Sequence, residues 1–536
     1  MNRLYKYLKT ISGIVMGILS LMLYSCEGSV VDLDPVNVLT DETAYSTAER
    51  CKLSLVGAYD AAQCGQYSVS AGWSRGYPLG SASVMQGEMR GEDMVNRASF
   101  YQYTYESTYN AASTQNNIAF WNCSFEAINR INVVMEGEQK AHESGVINDA
   151  VYTQYNGELA FLRGIIYHYL MIHFAEPYNL SSLNNDYGLP IYLTPHTTES
   201  SIGEGLATHR SKVEETYSQI IKDLETAAAN LPTTNSDNNI TRATKGAAYA
   251  FLSRVYLHMR NWAKVEEYAK KVIDLGTYSL EKDPITPFTS FNSNSESIFS
   301  IENNANDNGS VNGAMFSMFS CRNGSRYLVS MSPILVNDTR WLQDDKRRSE
   351  WLLSSESSDA VTKKYNVYFC DKYRSDTRSD YAPIIRYAEV LLNYAEAAAR
   401  LGDTETALKY LNMVRNRSLA DDSKAYTTSD FADKKALVEA ILFERRIEFL
   451  GEGRRWEDIH RLAADDLCPT GGIPAKVKWT AISKTAAADA VCGYGKAIPT
   501  KGLSAYPYSD KRFLWPIPVS ETTYNEVLAA EQNAGW

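Results

Sequence analysis

The sequence predicts a mainly α-helical protein built from paired helices, with long irregular segments between the pairs. Apolar residues recur at spacings of three and four in several stretches, which places them on one face of a helix. In residues 243–275 and 383–462, two such patterns follow each other across a short polar break. Stretches rich in Asn, Ser, Gly and aromatic residues separate these pairs. Irregular segments of this length usually carry function or cover a surface.

Residues 383–416 contain the clearest pair. One apolar face runs from Tyr387 to Ala398 and is broken at Gly402, and a second runs from Ala407 to Val414. This pattern predicts a helical hairpin with a very short turn. Small alanines on the inner faces allow the two helices to approach closely, as in tetratricopeptide-like helix pairs.

Residues 436–462 are predicted to form a third helix, which carries an unusually dense set of charges. Glu444 and Glu448 lie one turn apart, with Arg445 and Arg446 between them. Glutamates and arginines at this spacing usually form an ionic lattice that ties helices together. Arginine suits fixed, bidentate pairing because it does not lose its proton. We therefore interpret these charges as structural and not catalytic.

Four further stretches have a helical period, and the segments around them do not. The predicted helices cover residues 42–62, 120–135, 155–174 and 212–230. The predicted irregular segments cover residues 63–113, 282–380 and 465–512. The helices recur in pairs but at no even period, which fits a degenerate repeat core better than a regular solenoid.

Length and composition are those of a globular chain with an acidic body. The chain has 536 residues, of which 44% are hydrophobic and 22% charged, so there is ample material for a core. A formal net charge of −11 argues against nucleic acid and other polyanionic ligands. Tyrosine is unusually abundant, with 36 residues. Tyrosine suits recognition surfaces and packed helix pairs alike, so its abundance leaves both interpretations open.

Residues 1–25 are predicted to be an export signal with lipoprotein-type cleavage before Cys26. Basic residues precede an apolar run over residues 11–23. That run is shorter than the roughly 20 apolar residues that a membrane span needs. It closes on the small residue Ser25 directly before Cys26, a pattern that predicts acylation of the cysteine. An uncleaved anchor or a simple secretory signal is the alternative.

Three segments resemble signature segments of the SusD/RagB family of surface nutrient-binding lipoproteins. They are PIIRYAEVLLNYAEAAARLGD, ERRIEFLGEGRRWEDIHRL and the terminal LWPIPVSETTYNEVLAAEQNAGW, and they occur in the family's order. The chain departs from the family's usual ending at Ala534, where the family has proline.

The resemblance implies a superhelical core of four tetratricopeptide-like helix pairs that cradle long irregular loops. It also implies an N-terminal part over residues 26–240 and a C-terminal part over residues 241–536, packed as one globular unit. In family terms, the protein would be anchored to the outer membrane through its lipid and would face the cell exterior. Its partner would be a SusC-like, TonB-dependent transporter.

No motif in the sequence predicts catalysis. Residues 72–76 match the spelling of a nucleophile elbow, G-x-S-x-G, but lack the strand before it and the helix after it. The histidines show no metal spacing, and no Cys-x-x-Cys pair occurs. We expect no cofactor, although residues 304–309 are compatible with a structural calcium ion held by loop oxygens; they fail the EF-hand pattern. Because the separation of two carboxylates is set by the fold, a surface glycoside hydrolase stays open as a minor alternative.

A carbohydrate site needs aromatic platforms flanked by hydrogen-bonding side chains, and the irregular segments supply both. If residues 101–105 are extended, their alternating tyrosines place three rings on one side. Packing of the same rings against helices is the structural alternative. We predict nine ligand-binding residues: Trp73, Arg75, Tyr77, Arg97, Tyr101, Tyr103, Tyr105, Asn303 and Trp341.

We therefore expect a non-enzymatic protein that binds oligosaccharides or polysaccharides at the cell surface and passes them to its transporter. A peptide-capturing, RagB-like member of the same family is the main alternative.

Overall fold

The computed structural model describes residues 41–64, 75–113, 115–180, 186–234, 240–354, 367–483 and 491–536. Helices of eight or more residues are labelled in chain order: α1 Ala48–Gln63, α2 Ser81–Arg90, α3 Gln115–Glu143, α4 Asp149–Phe174, α5 Glu199–Leu206, α6 Val213–Asn230, α7 Lys245–His258, α8 Trp262–Asp274, α9 Tyr387–Leu401, α10 Thr404–Asn416, α11 Lys434–Glu448 and α12 Arg454–Arg461. Shorter α-helices cover Asp41–Ala44, Gln102–Tyr105, Thr286–Thr289, Ser310–Gly313, Met315–Phe319, Pro333–Val336, Lys346–Trp351, Trp479–Ile482, Val519–Thr522 and Glu526–Ala530.

The strands are short, and all of their pairings are antiparallel. They are β1 Met94–Asn96, β2 Ser297–Ile301, β3 Val329–Met331, β4 Leu352–Ser354, β5 Tyr368–Cys370, β6 Ala382–Arg386, β7 Gly472–Ile473, β8 Lys476–Val477, β9 Gly502–Leu503 and β10 Tyr506–Pro507. One sheet has the strand order β1-β3-β5-β4, and the pairs β2–β6, β7–β10 and β8–β9 are separate ribbons.

Helix pairs form the frame, as predicted: α1 packs on α3, α4 on α6, α7 on α8, and α9 on α10. Helices α8 and α9 also pack together, so neighbouring pairs stack on one another. The prediction of a mainly all-α fold built from helix pairs is therefore confirmed.

The α9–α10 hairpin has the short turn that its sequence predicts. Gly402 ends α9, and the side chain of Asp403 caps α10 by accepting a hydrogen bond from the Thr406 amide at 3.0 Å. The rings of Tyr394 and Tyr410 stack across the pair with centroids 4.6 Å apart. Helix α10 has a wet face, whereas α9 is almost wholly buried. The apolar period of α9 survives because its polar residues Glu389, Asn393 and Glu396 lie on one face and bond to buried arginines.

One buried hydrophobic cluster runs through the described chain from Leu55 to Leu528. It draws residues from both sides of residue 240, and the boundary between the two predicted parts stays a prediction. Within the described ranges, no helix combines the length and apolarity needed to cross a bilayer. The predicted export signal at residues 1–25 and the acylation site at Cys26 lie outside the described residues.

The prediction of one continuous helix over residues 436–462 is wrong. Helix α11 ends at Glu448, and α12 starts at Arg454. Gly451 and Gly453 between them have φ values of 78° and 79°, a left-handed conformation that favours glycine. The amide of Gly453 donates to the Glu88 carboxylate at 2.8 Å, which docks the break against α2.

The segments predicted to be irregular contain more regular structure than expected. Helix α2 lies within residues 63–113, and strands β2 to β5 lie within residues 282–380. Every residue of α2 is buried, so the helix has no wet face and its sequence shows no amphipathic period. The strands have two to five residues each, which is too short for a clear alternation.

The charges predicted to be structural form a buried ionic network centred on Glu448. Its carboxylate accepts from Arg386 at 3.1 Å, from Arg417 at 2.5 Å and from Arg347 at 2.9 Å. Glu452 pairs with Arg386 at 2.8 Å. The side chains of these residues are at most 7% exposed. The interpretation of this block as a lattice between elements is confirmed.

The same block extends to the N-terminal part of the chain. Arg455 pairs with Glu92 at 2.6 Å, and Arg446 pairs with Asp93. These two acids directly precede β1. The lattice therefore holds the start of β1 against helices that lie more than three hundred residues later in the chain.

Replacement of Glu448 by Gln is expected to lower the free energy of unfolding by about 3 kcal/mol or more, because three buried arginines lose their shared anion. Chemical denaturation would measure the change. Glu439→Gln is the control, since Glu439 is 48% exposed and pairs with the exposed Lys435, and it should leave the stability essentially unchanged. Equal stabilities for the two variants would contradict a structural role for the lattice.

The buried ion pairs also predict that the stability of the fold depends on pH, and a substitution at Glu396 makes this dependence measurable. Burial favours its protonated form, but the adjacent Arg461 and Arg400 outweigh burial and lower the pKa of Glu396 to about 2. Its unfolded pKa is about 4.3, so its contribution is complete above that value and is lost as the pH falls towards 2. Glu396→Gln should therefore be destabilised at pH 7, and the gap from the wild type should narrow below pH 4.3 in denaturation curves. A gap independent of pH would contradict this assignment.

Candidate ligand-binding face

The pairing of β1 with β3 brings two irregular segments together at one surface. Asn96 lies opposite Val329, and the Arg97 amide donates to the Leu328 carbonyl at 2.9 Å. This register places the Arg97 guanidinium 5.3 Å from the centre of the Tyr327 ring. Two residues that are 230 positions apart in the sequence thus become neighbours.

A close backbone contact places Arg75 beside the same surface. A Cβ atom on Gly313 would lie 2.5 Å from the Arg75 carbonyl oxygen, so only glycine allows this approach. The Arg75 guanidinium lies 4.6 Å from the centre of the Phe100 ring, and that of Arg326 lies 5.8 Å from it. Arg326 is also bonded to the Asn312 side chain. Phe100 therefore has a guanidinium group near it from each of two segments.

A third segment contributes Trp479. Strand β8, directly before it, is anchored by Lys476, whose Nζ donates to the Met89 and Tyr105 carbonyls at 2.6 and 3.0 Å. Burial and the nearby Arg90 lower the pKa of Lys476 to about 7. The Trp479 ring centre lies 5.2 Å from the Arg97 guanidinium.

We call this surface the aromatic–arginine face and define it by six residues: Arg75, Arg97, Phe100, Arg326, Tyr327 and Trp479. Its three rings are half-buried, so each is held in place and keeps part of its surface open. A guanidinium group beside an aromatic ring places several N–H donors in one plane next to an apolar surface. This combination can hold a ligand that has hydroxyl or acidic groups at its edges and C–H groups on its faces.

Two of the nine predicted ligand-binding residues, Arg75 and Arg97, belong to the face; Arg97 is half-buried, and Arg75 is buried, with 9% of it exposed. Trp73 lies outside the described residues, and its role stays a prediction. Tyr101 lies directly beneath the face, with its ring centre 4.8 Å from that of Phe100 and its hydroxyl donating to the Asn312 carbonyl at 3.5 Å.

Four predicted rings differ from the expectation of open platforms, because the structure places them in the core: Tyr77, Tyr101, Tyr105 and Trp341, all at most 1% exposed. The hydroxyl groups of Tyr77 and Tyr105 form hydrogen bonds within the protein. The Tyr77 hydroxyl accepts from Gln86 at 2.9 Å, and the Tyr105 hydroxyl donates to the Val477 carbonyl at 2.7 Å. Buried in this way, the four rings have no face available to a ligand.

Residues 101–105 are not extended, so the condition under which their tyrosines would lie on one side is not met. A 3₁₀ turn, Ser99–Tyr101, leads into the short helix Gln102–Tyr105, so the three tyrosines point in different directions. Tyr103 is 49% exposed and the other two are buried. Asn303 is buried as well, with its side chain accepting from Gln63 at 3.1 Å and donating to the Asp380 carbonyl at 2.8 Å.

Sequence reasoning missed Phe100, Arg326, Tyr327 and Trp479. Phe100 neighbours a predicted residue, and Arg326-Tyr327 stands out as a cation next to a ring in an Asn- and Ser-rich stretch. Trp479 carries no such signal, since only the fold brings residue 479 to residue 97.

Residues 304–309 are the segment whose sequence is compatible with a structural calcium ion. Asp307 lies near Asp60 and Glu302, and burial together with these acids raises the pKa of Asp307. Within the described ranges, no group of three or more His, Cys, Asp or Glu side chains is arranged to hold a metal ion. The calcium ion stays a prediction.

The assignment of Tyr101 to the core and Tyr103 to the surface predicts different effects of truncation. Tyr101→Ala should lower the free energy of unfolding by about 3 kcal/mol or more, because it leaves a cavity. Tyr103→Ala should change it by less than about 1 kcal/mol. Urea denaturation of both variants would compare them directly. A larger loss for Tyr103→Ala would contradict the observed burial.

Known proteins resemble this chain over most of its length. Residues 343–536 match a family model described as the SusD family, and residues 68–257 match one described as "Starch-binding associating with outer membrane". SusD-like protein P38 of Formosa agariphila is 24% identical over 87% of this chain and 95% of its own. A SusD superfamily protein from Bacteroides fragilis has a similar structure, with a TM-score of 0.71, 26% identity and coverage of 90% of this chain and 99% of its own. Surface glycan-binding protein A from Bacteroides uniformis has the same fold, with a TM-score of 0.68, 20% identity and coverage of 91% and 100%.

Proposed function

This chain belongs to the SusD/RagB family, and from that premise we propose that it captures oligosaccharides at the aromatic–arginine face. The observation that carries the proposal is the placement of guanidinium groups 4.6 to 5.8 Å from the centres of half-buried rings. A sugar ring presents C–H groups on its faces and hydroxyls at its edges. The rings of Phe100, Tyr327 and Trp479 can pack against the C–H groups, and the arginine side chains can donate hydrogen bonds to the hydroxyls.

The proposed role is binding without catalysis. The charged groups that define the face are arginines, which keep their protons and do not act as general acids or bases. Glycoside hydrolysis requires two carboxyl groups that flank the scissile bond. A ligand held by open, half-buried rings is also free to leave, which suits a protein that hands its ligand on.

We further propose that the protein is a lipoprotein, acylated at Cys26, that faces the cell exterior and delivers glycans to a TonB-dependent outer-membrane transporter. The description of the N-terminal family model supports association with the outer membrane. Several acyl chains would make the attachment stable, where one chain is marginal. The tagged full-length protein should co-purify with a large β-barrel protein. In the Cys26→Ala variant, this co-purification should be lost from membranes and restored in detergent extracts. That pattern would support both the anchor and the partner.

Retention of the purified protein in polyacrylamide gels that contain single polysaccharides tests the binding site. Tyr327→Ala and Trp479→Ala should each weaken retention by about fivefold in apparent affinity, since one ring contact contributes about 1 kcal/mol. Trp73→Ala is expected to do the same while leaving the fold intact. Tyr524→Ala is the matched control, because Tyr524 is 77% exposed and belongs to no part of the face.

The same gels separate the alternatives. Neutral and uronate-bearing polysaccharides should be compared, since arginine guanidinium groups donate hydrogen bonds to hydroxyl and carboxylate oxygens alike. Retention that is unaffected by the face variants would remove this face from the site. Binding of a protein digest and of no polysaccharide would favour the peptide-capturing alternative. Release of reducing sugar from a retained polysaccharide would favour the glycoside hydrolase.

A further inference from the structure

A second concave surface lies elsewhere on the molecule and shares no residue with the aromatic–arginine face. It is a groove of about 380 Å³ between α3, α5, the connection before α5 and the helix Val519–Thr522. We call it the Trp121 groove and define it by its principal lining residues: Trp121, Phe125, Glu126, Tyr192, His196 and Glu521. Its volume is in the range of small-molecule sites.

The connection that forms one wall is fastened to α3 by asparagine side chains. Asn129 accepts from the His196 amide at 2.8 Å and donates to the His196 carbonyl at 3.4 Å. Asn132 donates to the Tyr192 carbonyl at 3.0 Å. The His196 ring is in turn 2.5 Å from the Ser201 carbonyl in α5, measured from Nδ1. The wall is therefore pre-formed and does not depend on a ligand for its position.

The aromatic side chains of the groove form a continuous series. The ring centres of Trp121 and Phe125 are 4.6 Å apart, those of Phe125 and Tyr192 are 5.6 Å apart, and those of Tyr192 and His196 are 5.0 Å apart. The last two contacts are edge-to-face, with interplanar angles of 77° and 80°. Because neighbouring rings are nearly perpendicular, the electron-rich face of one ring and the edge of the next border the same space.

The charge of the groove is negative. Glu126 and Glu521 line it, and no lysine or arginine is among its lining residues in the described part of the chain. Burial raises the pKa of both carboxyls, although the indole of Trp121, which donates to Glu521 at 3.4 Å, acts in the opposite direction on Glu521. Neither carboxylate forms an ion pair with another described residue. The partly buried Glu521 and the exposed Glu126 thus stand beside the half-buried rings of Phe125, Tyr192 and His196, next to the buried ring of Trp121.

We propose that the Trp121 groove binds an organic ammonium ion that carries an aromatic or alkyl group. Ring faces attract cations, and a cation would offset the cost of the partly buried Glu521 carboxylate and pair with the exposed Glu126 carboxylate beside it. Ile202 and Leu206, which line the groove and are 48% and 38% exposed, would cover the apolar part of the ligand. A neutral glycan would leave the carboxylates without a counter-charge, so the two sites would differ in ligand class.

Three probes of matched shape test the proposal: phenethylamine, phenethyl alcohol and hydrocinnamate, titrated into the purified protein by calorimetry and by saturation-transfer NMR. The ammonium probe should bind at least about tenfold more tightly than the alcohol, which corresponds to about 1.4 kcal/mol, and the carboxylate probe should not bind. In the double variant Glu126→Gln/Glu521→Gln, the amine and the alcohol should bind alike. Glu526→Gln, an exposed acid outside the groove, is the matched control and should leave the preference intact.

Equal binding of the amine and the alcohol to the wild type would overturn the proposal, and so would absence of amine binding at millimolar concentration. An amine preference that survives in the double variant would place the cation site elsewhere and would equally overturn it. Thermal unfolding of each variant verifies that the fold is retained. Retention in polysaccharide gels should be unchanged in the double variant, so failure of this proposal and failure of the glycan site are distinguishable.

Discussion

The buried ionic network around Glu448 is the interaction on which the rest of the structure depends. It gathers charged side chains from α11, from the end of β6, from the residue after α10 and from the short helix Lys346–Trp351. Each charge loses its water on burial, and only the complete set of partners compensates for that loss. We interpret the network as a determinant of which segments meet, more than as a source of net stability. A neighbouring set of ion pairs, from Arg446 to Asp93 and from Arg455 to Glu92, holds the two acids before β1, and β1 in turn sets the position of Arg97.

How much of the fold the sequence predicts depends on whether an element has both a wet and a buried side. Helices α6, α8 and α10 have both, and their apolar periods locate them to within a few residues. Helix α9 is almost wholly buried, but it keeps a detectable period because its polar residues are grouped on the face that meets buried arginines. Helix α2 is buried on every side and has no period to detect. The break at Gly451 and Gly453 was missed for a different reason, because the run of charges around it continues at helical spacing while the two glycines adopt a left-handed backbone.

The aromatic–arginine face is less predictable than the helical frame, because it depends on which segments the fold brings together and not on the composition of any one segment. Arg75 and Arg97 were found from their place in aromatic-rich loops, whereas neighbouring tyrosines of the same loops turned out to be core. Phe100 and Tyr101 are adjacent in sequence and their rings are in contact. Phe100 is half-buried, whereas Tyr101 is fully buried. Trp479 could not be found without the fold, since β8 brings it to Arg97.

The aromatic–arginine face draws its residues from three stretches, 75–100, 326–327 and 479, that span most of the chain. None of these stretches contains a complete set of rings and donors. If the face binds glycans as proposed, a polypeptide that has only partly matured, or one that a protease has cut and released in pieces, should therefore bind them more weakly than the intact chain. Under the proposed function, full affinity for a glycan requires the folded chain, so it could serve as an assay of how correctly a given preparation has folded.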